Sequence, residues 1–517
     1  MYYFSIKFIL ILSTILFAQC VSSLNILGLF PHPGKSHHDV FSALLEGLAD
    51  KGHNVTVLSH FPLENRRKNY KDISLKGTMP LWVNFIDLNI FGWRSLLNPL
   101  VEFYMLTKNS FEACETVLKS DQLKSIFDQS EKYDVIFTET FTSDCTLGIA
   151  YQFKAPVIGL SSSYAMPWVM GRFANPEITS YVPMMFTGNS HQMTFWQRVK
   201  NFVASVLFKT LYRFRVDWPT DKLLRERFGQ DMPSVIDLKK NTSLLMINTH
   251  YALSGVRPNV PAIVEIGGIH VKKPKKLSKD LDDFISGAEH GVVYVSWGSM
   301  IRASTLPDEK RKALLKAFGK LKQRVLWKWE NETLPEKTDN LMIRNWMPQN
   351  DILAHPNVRL FMSHSGLLGT TEAAHHGVPM IATPIYGDQF LNAAAIESRG
   401  MGRILNYEDL NEEHITQTLN EVLKPSYLQN AKRVSANFLN RPQSPIDLAA
   451  WWTERVAEVG IESPPLWRSE AVDMCCIQYY MLDVYACLLV IFLFFMRISG
   501  KILSKFRRDK QIKVKLQ

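Results

Sequence analysis

Short-period repeats and low-complexity segments are missing from this sequence, which excludes solenoid and fibrous architectures. Cysteine is scarce, six in 517 residues. Cys20 sits in an N-terminal apolar leader, Cys475 and Cys476 border a second apolar run, and Cys487 falls within that run. Only Cys114 and Cys145 remain for the body, so a disulfide framework is excluded; whether these two pair is open from sequence. An excess of one charge is also missing from the body. The chain carries +10, but from Ser499 onward seven basic residues (Lys501, Lys505, Arg507, Arg508, Lys510, Lys513, Lys515) face one acid, Asp509. That tail holds +6 and everything before it +4, which argues against nucleic acid as a partner.

What is present is a globular composition, 46% hydrophobic and 21% charged, on a chain long enough for two large domains. Lys7 precedes the apolar run from Phe8 to Ala18, and the small residues Val21, Ser22 and Ser23 follow. This predicts a secretory signal peptide over 1–23 and a mature chain from Leu24. The second apolar run, Val484 to Met496, approaches the ~20 residues that cross a bilayer once Tyr479 to Leu482 and Ile498 are added. A transmembrane helix is predicted over 479–498, with Asp483 near its boundary. The basic tail, 499–517, then lies in the cytosol, which places the body in the lumen or outside the cell. Lys513 and Lys515, five and three positions from the end, resemble the dilysine retrieval signal of endoplasmic-reticulum membrane proteins. Asn54-Val-Thr56, Asn241-Thr-Ser243 and Asn331-Glu-Thr333 are glycan acceptors under that topology.

A strand from Asn25 to Phe30, a helix with Val40, Phe41, Leu44, Leu45 and Leu48 on one face, and a strand through Val55, Val57 and Leu58 make a βαβ unit. Further strands are expected at Tyr133 to Glu139, Ala155 to Leu160, Leu244 to Asn248 and Ile263 to Ile266. Aromatic-rich helical stretches separate them, serving as core or as the lining of an apolar pocket. The Lys- and Asp-rich segment over 270–290 reads as a linker between a first domain, 24–269, and a second, 291–470. Strands then recur at Val292 to Ser296, Arg324 to Trp329, Leu341 to Asn345, Val358 to Ser363 and Pro379 to Thr383, with helices at Pro307 to Lys322, Leu367 to His376 and Gln389 to Ser398.

Ligands of open parallel sheets bind beyond the C-terminal strand ends, and special residues gather there. Trp346 and Gln349 follow one strand, His364 the next, and Asp388 with Gln389 the one after. Gly366 opens a helix whose N–H groups and dipole suit a phosphate, and Glu372 lies further along it. Trp346 offers a face to a base; Glu372, Asp388 and Gln389 are hydroxyl-binding side chains. Any one of these is weak alone, since a lone His or Trp is usually structural. An Asp280-x-Asp282 pair has the form used by metal-dependent transferases, but its Lys-rich setting marks it as solvated surface.

The residues Trp346-Met-Pro348-Gln349, Leu353-Ala-His355-Pro356, His364-Ser-Gly366, Glu372, Gly377-Val-Pro379, Pro384 and Asp388-Gln389 resemble the signature of the UDP-glycosyltransferases, in particular their insect-like animal members. The likeness covers nearly the whole chain. It implies an α/β GT-B fold of two facing Rossmann-like domains plus one C-terminal transmembrane helix, with UDP-sugar in the second domain and acceptor in the first. By that resemblance Trp346 stacks on uracil, Gln349 approaches the nucleoside, His364 meets the diphosphate, Glu372 the ribose, and Asp388 and Gln389 the sugar. Ser299 belongs to a loop beneath the nucleotide. Two positions depart from the family: Ser365 replaces the second residue of His-Gly-Gly, and Gly369 replaces a Ser whose hydroxyl would meet phosphate, with Thr370 beside it as a substitute.

Family position selects His37 as the base that deprotonates an acceptor hydroxyl, with His38 and then His32 as competitors. A carboxylate should orient it; Glu139 stands at the strand end, Asp144 has the family's residue type, and the expectation leans to Asp144. The implied reaction is an inverting displacement without metal or cofactor, the co-substrate being a UDP-sugar, expected to be UDP-glucose. Glucuronic acid is the alternative sugar, and a catalytically weak lipophile carrier of the same fold the alternative function. The partners implied are small lipophilic acceptors and the endoplasmic-reticulum membrane; a homo-oligomer is compatible with the sequence. A glycoside hydrolase with two facing carboxylates leaves the nucleotide box unexplained.

Overall fold

The computed structural model describes residues 23–89, 99–129, 131–462 and 464–515. The leader expected over 1–23 lies outside them but for its last residue, and the Lys513 and Lys515 side chains lie outside the described ones. Residues through Trp467 form one compact unit and Arg468–Gln517 a second.

The larger unit holds two parallel sheets. The first contains β1 (Asn25–Phe30), β2 (Asn54–Ser59), β3 (Tyr70–Ser74), β5 (Val135–Glu139), β6 (Val157–Ser161), β7 (Thr242–Ile247) and β8 (Ile263–Glu265), ordered β3-β2-β1-β5-β6-β7-β8. A two-residue β4 (Ile86–Asp87) belongs elsewhere and is described below. The apolar stripe seen in sequence forms helix α1 (Lys35–Asp50), whose Val40, Phe41, Leu44, Leu45 and Leu48 pack with Ile26, Val55 and Phe137. Helices α2 (Pro99–Lys119) and α3 (Cys145–Gln152) are joined by a Cys114–Cys145 disulfide.

The second sheet contains β9 (Val292–Ser296), β11 (Arg324–Lys328), β12 (Leu341–Arg344), β13 (Val358–Ser363), β14 (Met380–Ala382) and β15 (Gly402–Ile404), ordered β12-β11-β9-β13-β14-β15. Its strands read as near-continuous Val, Leu, Ile and Met because both faces are covered by helices. Between β9 and β11 the short β10 (Ile301–Arg302) pairs in parallel with β4, so a segment of the first half is stitched to the second.

Two segments fall elsewhere than their position in the chain suggests. The linker contains helix α4 (Lys279–Ser286), whose Leu281 and Ile285 are buried with Val292 and Tyr294 in the second half. Three helices that build the second half's site follow, α5 (Gln349–Leu353), α6 (Leu367–His376) and α7 (Gln389–Ser398), and then comes α8 (Pro445–Val459). The last of these crosses back. Ala449, Ala450 and Val456 bury against Ile26, Phe41 and Met246 of the first half, so the segment 445–459 covers the first sheet.

In the smaller unit helix α9 (Leu482–Lys515) is long and apolar enough to cross a membrane, with an 18-residue window of mean hydropathy 2.1 inside Leu482–Asp509. Asp483 occupies its first turn, where a negative charge is favoured by the helix dipole.

Candidate active site

In each sheet, strand order reverses at the first strand of that half: β1 lies between β2 and β5, and β9 between β11 and β13. A doubly wound sheet opens a crevice at such a point, beyond the C-terminal strand ends. Both crevices contribute to one cleft of about 400 Å³, lined from the first half by His32, His37, Trp82, Glu102, Phe141 and Met185. The second half supplies every predicted donor residue: Ser299, Trp346, Gln349, His364, Gly366, Gly369, Glu372, Asp388 and Gln389.

On the first side, β1 ends at Phe30 and α1 begins at Lys35, which places His37 in the first helical turn. Leu29 pairs with Thr138 across β1 and β5, which brings the end of β5 beside this turn. His37 Nδ1 lies 2.5 Å from Glu139 Oε1. Glu139 is 7% exposed, so it is isolated from solvent while the imidazole reaches the cleft. Burial alone would push its carboxyl up; the facing His32 and His37 rings, with the hydrogen bond from His37, hold it below the ordinary value.

The competing histidines are placed differently. His38 is 5% exposed and neither ring nitrogen has a hydrogen-bond partner; burial and Lys35 lower it to about 4. The His32 ring lies 4.6 Å from that of His37, tilted by 37°, and edge-on to Trp82, and burial lowers it to about 3. The lean to Asp144 as the partner of His37 is corrected. Asp144 is 2% exposed and turned into the interior, where Arg172 (2.8 Å), Lys239 (3.1 Å) and the Tyr212 hydroxyl (2.8 Å) surround it. Burial opposes its charge, but the two cations hold its carboxyl well below the usual carboxylate range. The physical reason is position: Glu139 is the last residue of β5, whereas Asp144 stands at the N-terminal end of α3 with its side chain bonded to Arg172 and Tyr212.

On the second side, the His364 ring is wedged between two glycines. A β-carbon on Gly298 or on Gly366 would stand 2.6 or 2.5 Å from ring atoms, so both positions need glycine. Burial, with Lys328 nearby, lowers His364 to about 3, making it a neutral hydrogen-bonding group. The charge at this spot belongs to Lys328, which the sequence reading did not single out. It ends β11, is 4% exposed, bonds Glu330 (2.8 Å), lines the cleft and sits 5.8 Å from the centre of the Trp346 ring. Its only sequence signal is position, a basic residue at a strand end beside a Trp. Trp346 itself is 60% exposed, leaving a face open.

Gln349 Nε2 donates to Glu372 Oε2 at 2.6 Å, fixing the carboxylate. Burial raises Glu372 to about 7, with Asp39 and Asp351 adding to the effect. A β-carbon on Gly369 would stand 3.0 Å from Gln349 Nε2, so the glycine leaves that amide its room. Thr370 is fully buried with an unpartnered hydroxyl and does not line the cleft. Ser365 has φ +66°, the left-handed region that favours glycine, and its buried hydroxyl has no partner. Asp388 accepts from Asn392 (3.0 Å), and burial raises its carboxyl; Gln389 Oε1 accepts from the Ile385 and Tyr386 N–H groups.

The family profile described as UDP-glucoronosyl and UDP-glucosyl transferase matches residues 34–516. This chain belongs to that family. The transferase is 38% identical over 487 residues to the UDP-glycosyltransferase UGT5 of Dactylopius coccus, covering 92% of this chain and 90% of the relative. It is 36% identical to UDP-glucosyltransferase 2 of the same insect, covering 92% of each. UDP-glucuronosyltransferase 1A6 of Mus musculus is 31% identical, covering 89% of this chain and 87% of that one. Among solved structures, the glycotransferase of kitacinnamycin superposes with a TM-score of 0.53 at 14% identity, over 84% of this chain and 98% of that one. That likeness and the two parallel sheets make the transferase a GT-B protein. The three predicted glycan acceptors, Asn54, Asn241 and Asn331, are all exposed.

Proposed function

We propose that the transferase moves glucose from UDP to the hydroxyl group of small lipophilic alcohols and phenols, inverting the anomeric centre, with no metal or cofactor. The observation that carries this is the His37–Glu139 pair facing the complete donor residue set across one cleft. With Nδ1 held by Glu139, His37 Nε2 takes the proton of the acceptor O–H. The acceptor oxygen forms a bond to the anomeric carbon as the bond from that carbon to the phosphate oxygen breaks, and UDP leaves with the electron pair. Its charge meets the N-terminus of α6, the neutral His364 as donor, and Lys328 as cation. Trp346 stacks on uracil, Gln349 and Ser299 flank the nucleoside, Glu372 takes the ribose hydroxyls, and Asp388 with Gln389 the sugar hydroxyls. Trp82, Leu106, Phe141 and Met185 form the apolar wall beside His37 that an aromatic or aliphatic acceptor would cover. The insect relative named as a UDP-glucosyltransferase supports glucose over glucuronic acid.

The chain is read as a single-pass protein of the endoplasmic-reticulum membrane with both sheets lumenal. The disulfide, the exposed sequons, and the apolar helix followed by a basic tail support that placement.

Microsomes containing the full chain, incubated with several UDP-sugars and a panel of phenols, should give β-glucosides by mass. His37→Ala should cut transfer at least 100-fold while UDP affinity stays within twofold. Unchanged turnover in that variant would remove His37 from the mechanism.

A further inference from the structure

The first half sends one acid into the second half's sugar pocket. Glu102 lies in the first turn of α2, and its carboxylate lines the cleft alongside Tyr386, Gly387 and Asp388. Its Oε1 is 3.4 Å from where a β-carbon on Gly387 would stand, and the Gly387 N–H faces it. Gly387 has φ +64°, so the turn presents bare backbone to this carboxylate. Among the described residues no Lys, Arg or His forms an ion pair with Glu102; the charged group that acts on it is Asp388. The basic group that acts on Asp388 is His37, which is already bonded to Glu139. Nothing in the nucleotide-binding residues requires a second acid here, and among the described residues no side chain of its own half hydrogen-bonds or ion-pairs with Glu102.

We propose that Glu102 is a specificity-determining residue: with Asp388 it forms a two-carboxylate wall that accepts a hexose through its hydroxyl groups and rejects a sugar bearing its own carboxylate. The inference rests on the reading that Asp388 holds the sugar of a UDP-hexose. A neutral hexose brings O–H donors, which two carboxylate acceptors satisfy. A uronic acid brings a third negative charge to a spot where the two acids already crowd each other. Burial first, and then Asp388, push the Glu102 carboxyl up to about 7, the direction in which added negative charge at this spot is disfavoured. Like-charge juxtaposition in a desolvated pocket is how sites discriminate against a near-isosteric ligand.

The test measures kcat/KM for UDP-glucose and UDP-glucuronate with one phenol acceptor, on full-length wild type, Glu102→Gln and Glu102→Arg. The readout is the glucose-to-glucuronate ratio, which a reduced folded fraction leaves unchanged. Wild type should favour glucose by at least 100-fold. Glu102→Gln should lower that ratio at least 10-fold, and Glu102→Arg should lower it further by raising glucuronate use. A wild type that favours glucose with both variants holding its ratio within twofold would overturn the role of Glu102 and leave the hexose reading standing. A wild type that favours glucuronate would overturn both.

Discussion

Glu139 and Asp144 are five residues apart with similar chemistry, yet their surroundings assign them opposite tasks. Glu139 has one strong partner, the cleft-facing His37, whereas Asp144 has three interior ones and none at the cleft. A buried carboxylate with two cations is costly to break, because removal leaves those cations uncompensated; such losses run to about 3–5 kcal/mol. Asp144→Asn should therefore lower stability by about that amount in thermal or denaturant unfolding, while the folded fraction keeps its kcat. The pH dependence has a definite sign. Since the folded state depresses the Asp144 carboxyl, its contribution is present above the ordinary carboxylate value and is lost as acid takes the pH below about 4, so Asp144→Asn should be flatter through that window. Glu139→Gln should do the reverse, preserving stability while lowering kcat by roughly 100-fold or more, because the imidazole loses the anion that stabilises its protonated form. Equal loss of kcat in both variants would reject this division.

At the scale of elements, the turn into α6 is strained at Ser365. Ser365 adopts φ +66°, a conformation that costs a residue with a β-carbon roughly 1–2 kcal/mol, and its hydroxyl is buried without a partner. Ser365→Gly removes both penalties and adds back roughly 0.5–1 kcal/mol of chain entropy in the unfolded state. The expected result is a protein more stable by about 1 kcal/mol in denaturant unfolding, with UDP affinity within twofold; a loss of stability would show that the serine is held by contacts outweighing its strain. This turn, and the donor side generally, was legible in the sequence because Trp346, His364 and Asp388 stand at consecutive ends of strands whose apolar runs are unmistakable. The acceptor side was less so. The His37–Glu139 pair joins residues 102 apart, and local spacing cannot separate a strand's last residue from a helix cap a few positions on. Glu102 reaches its neighbours Gly387 and Asp388 only through the closure of two halves, and α8 has an apolar stripe that does not say which sheet it will cover.

Over the whole molecule, the proposed lumenal placement of the two sheets rests on features that act together. A disulfide between α2 and α3 belongs in an oxidising compartment, and three exposed sequons accept glycans only there. The apolar run Val484–Met496, within the helix Leu482–Lys515, is followed by basic residues that favour the cytosolic side. Each feature has another explanation alone: exposed sequons go unused, and an apolar helix can be a core helix. All of them support the proposed topology, which a single experiment tests. In sealed microsomes, added protease should remove only the tail, leaving a protected fragment that contains both sheets. Endoglycosidase treatment of that fragment should then increase its mobility in up to three steps, each abolished by Asn→Gln at Asn54, Asn241 or Asn331. Detergent should expose the fragment to the same protease. Digestion of the body in sealed vesicles would place the active cleft in the cytosol, where a stable Cys114–Cys145 bridge is not expected, and both the orientation and the disulfide would then need revision together.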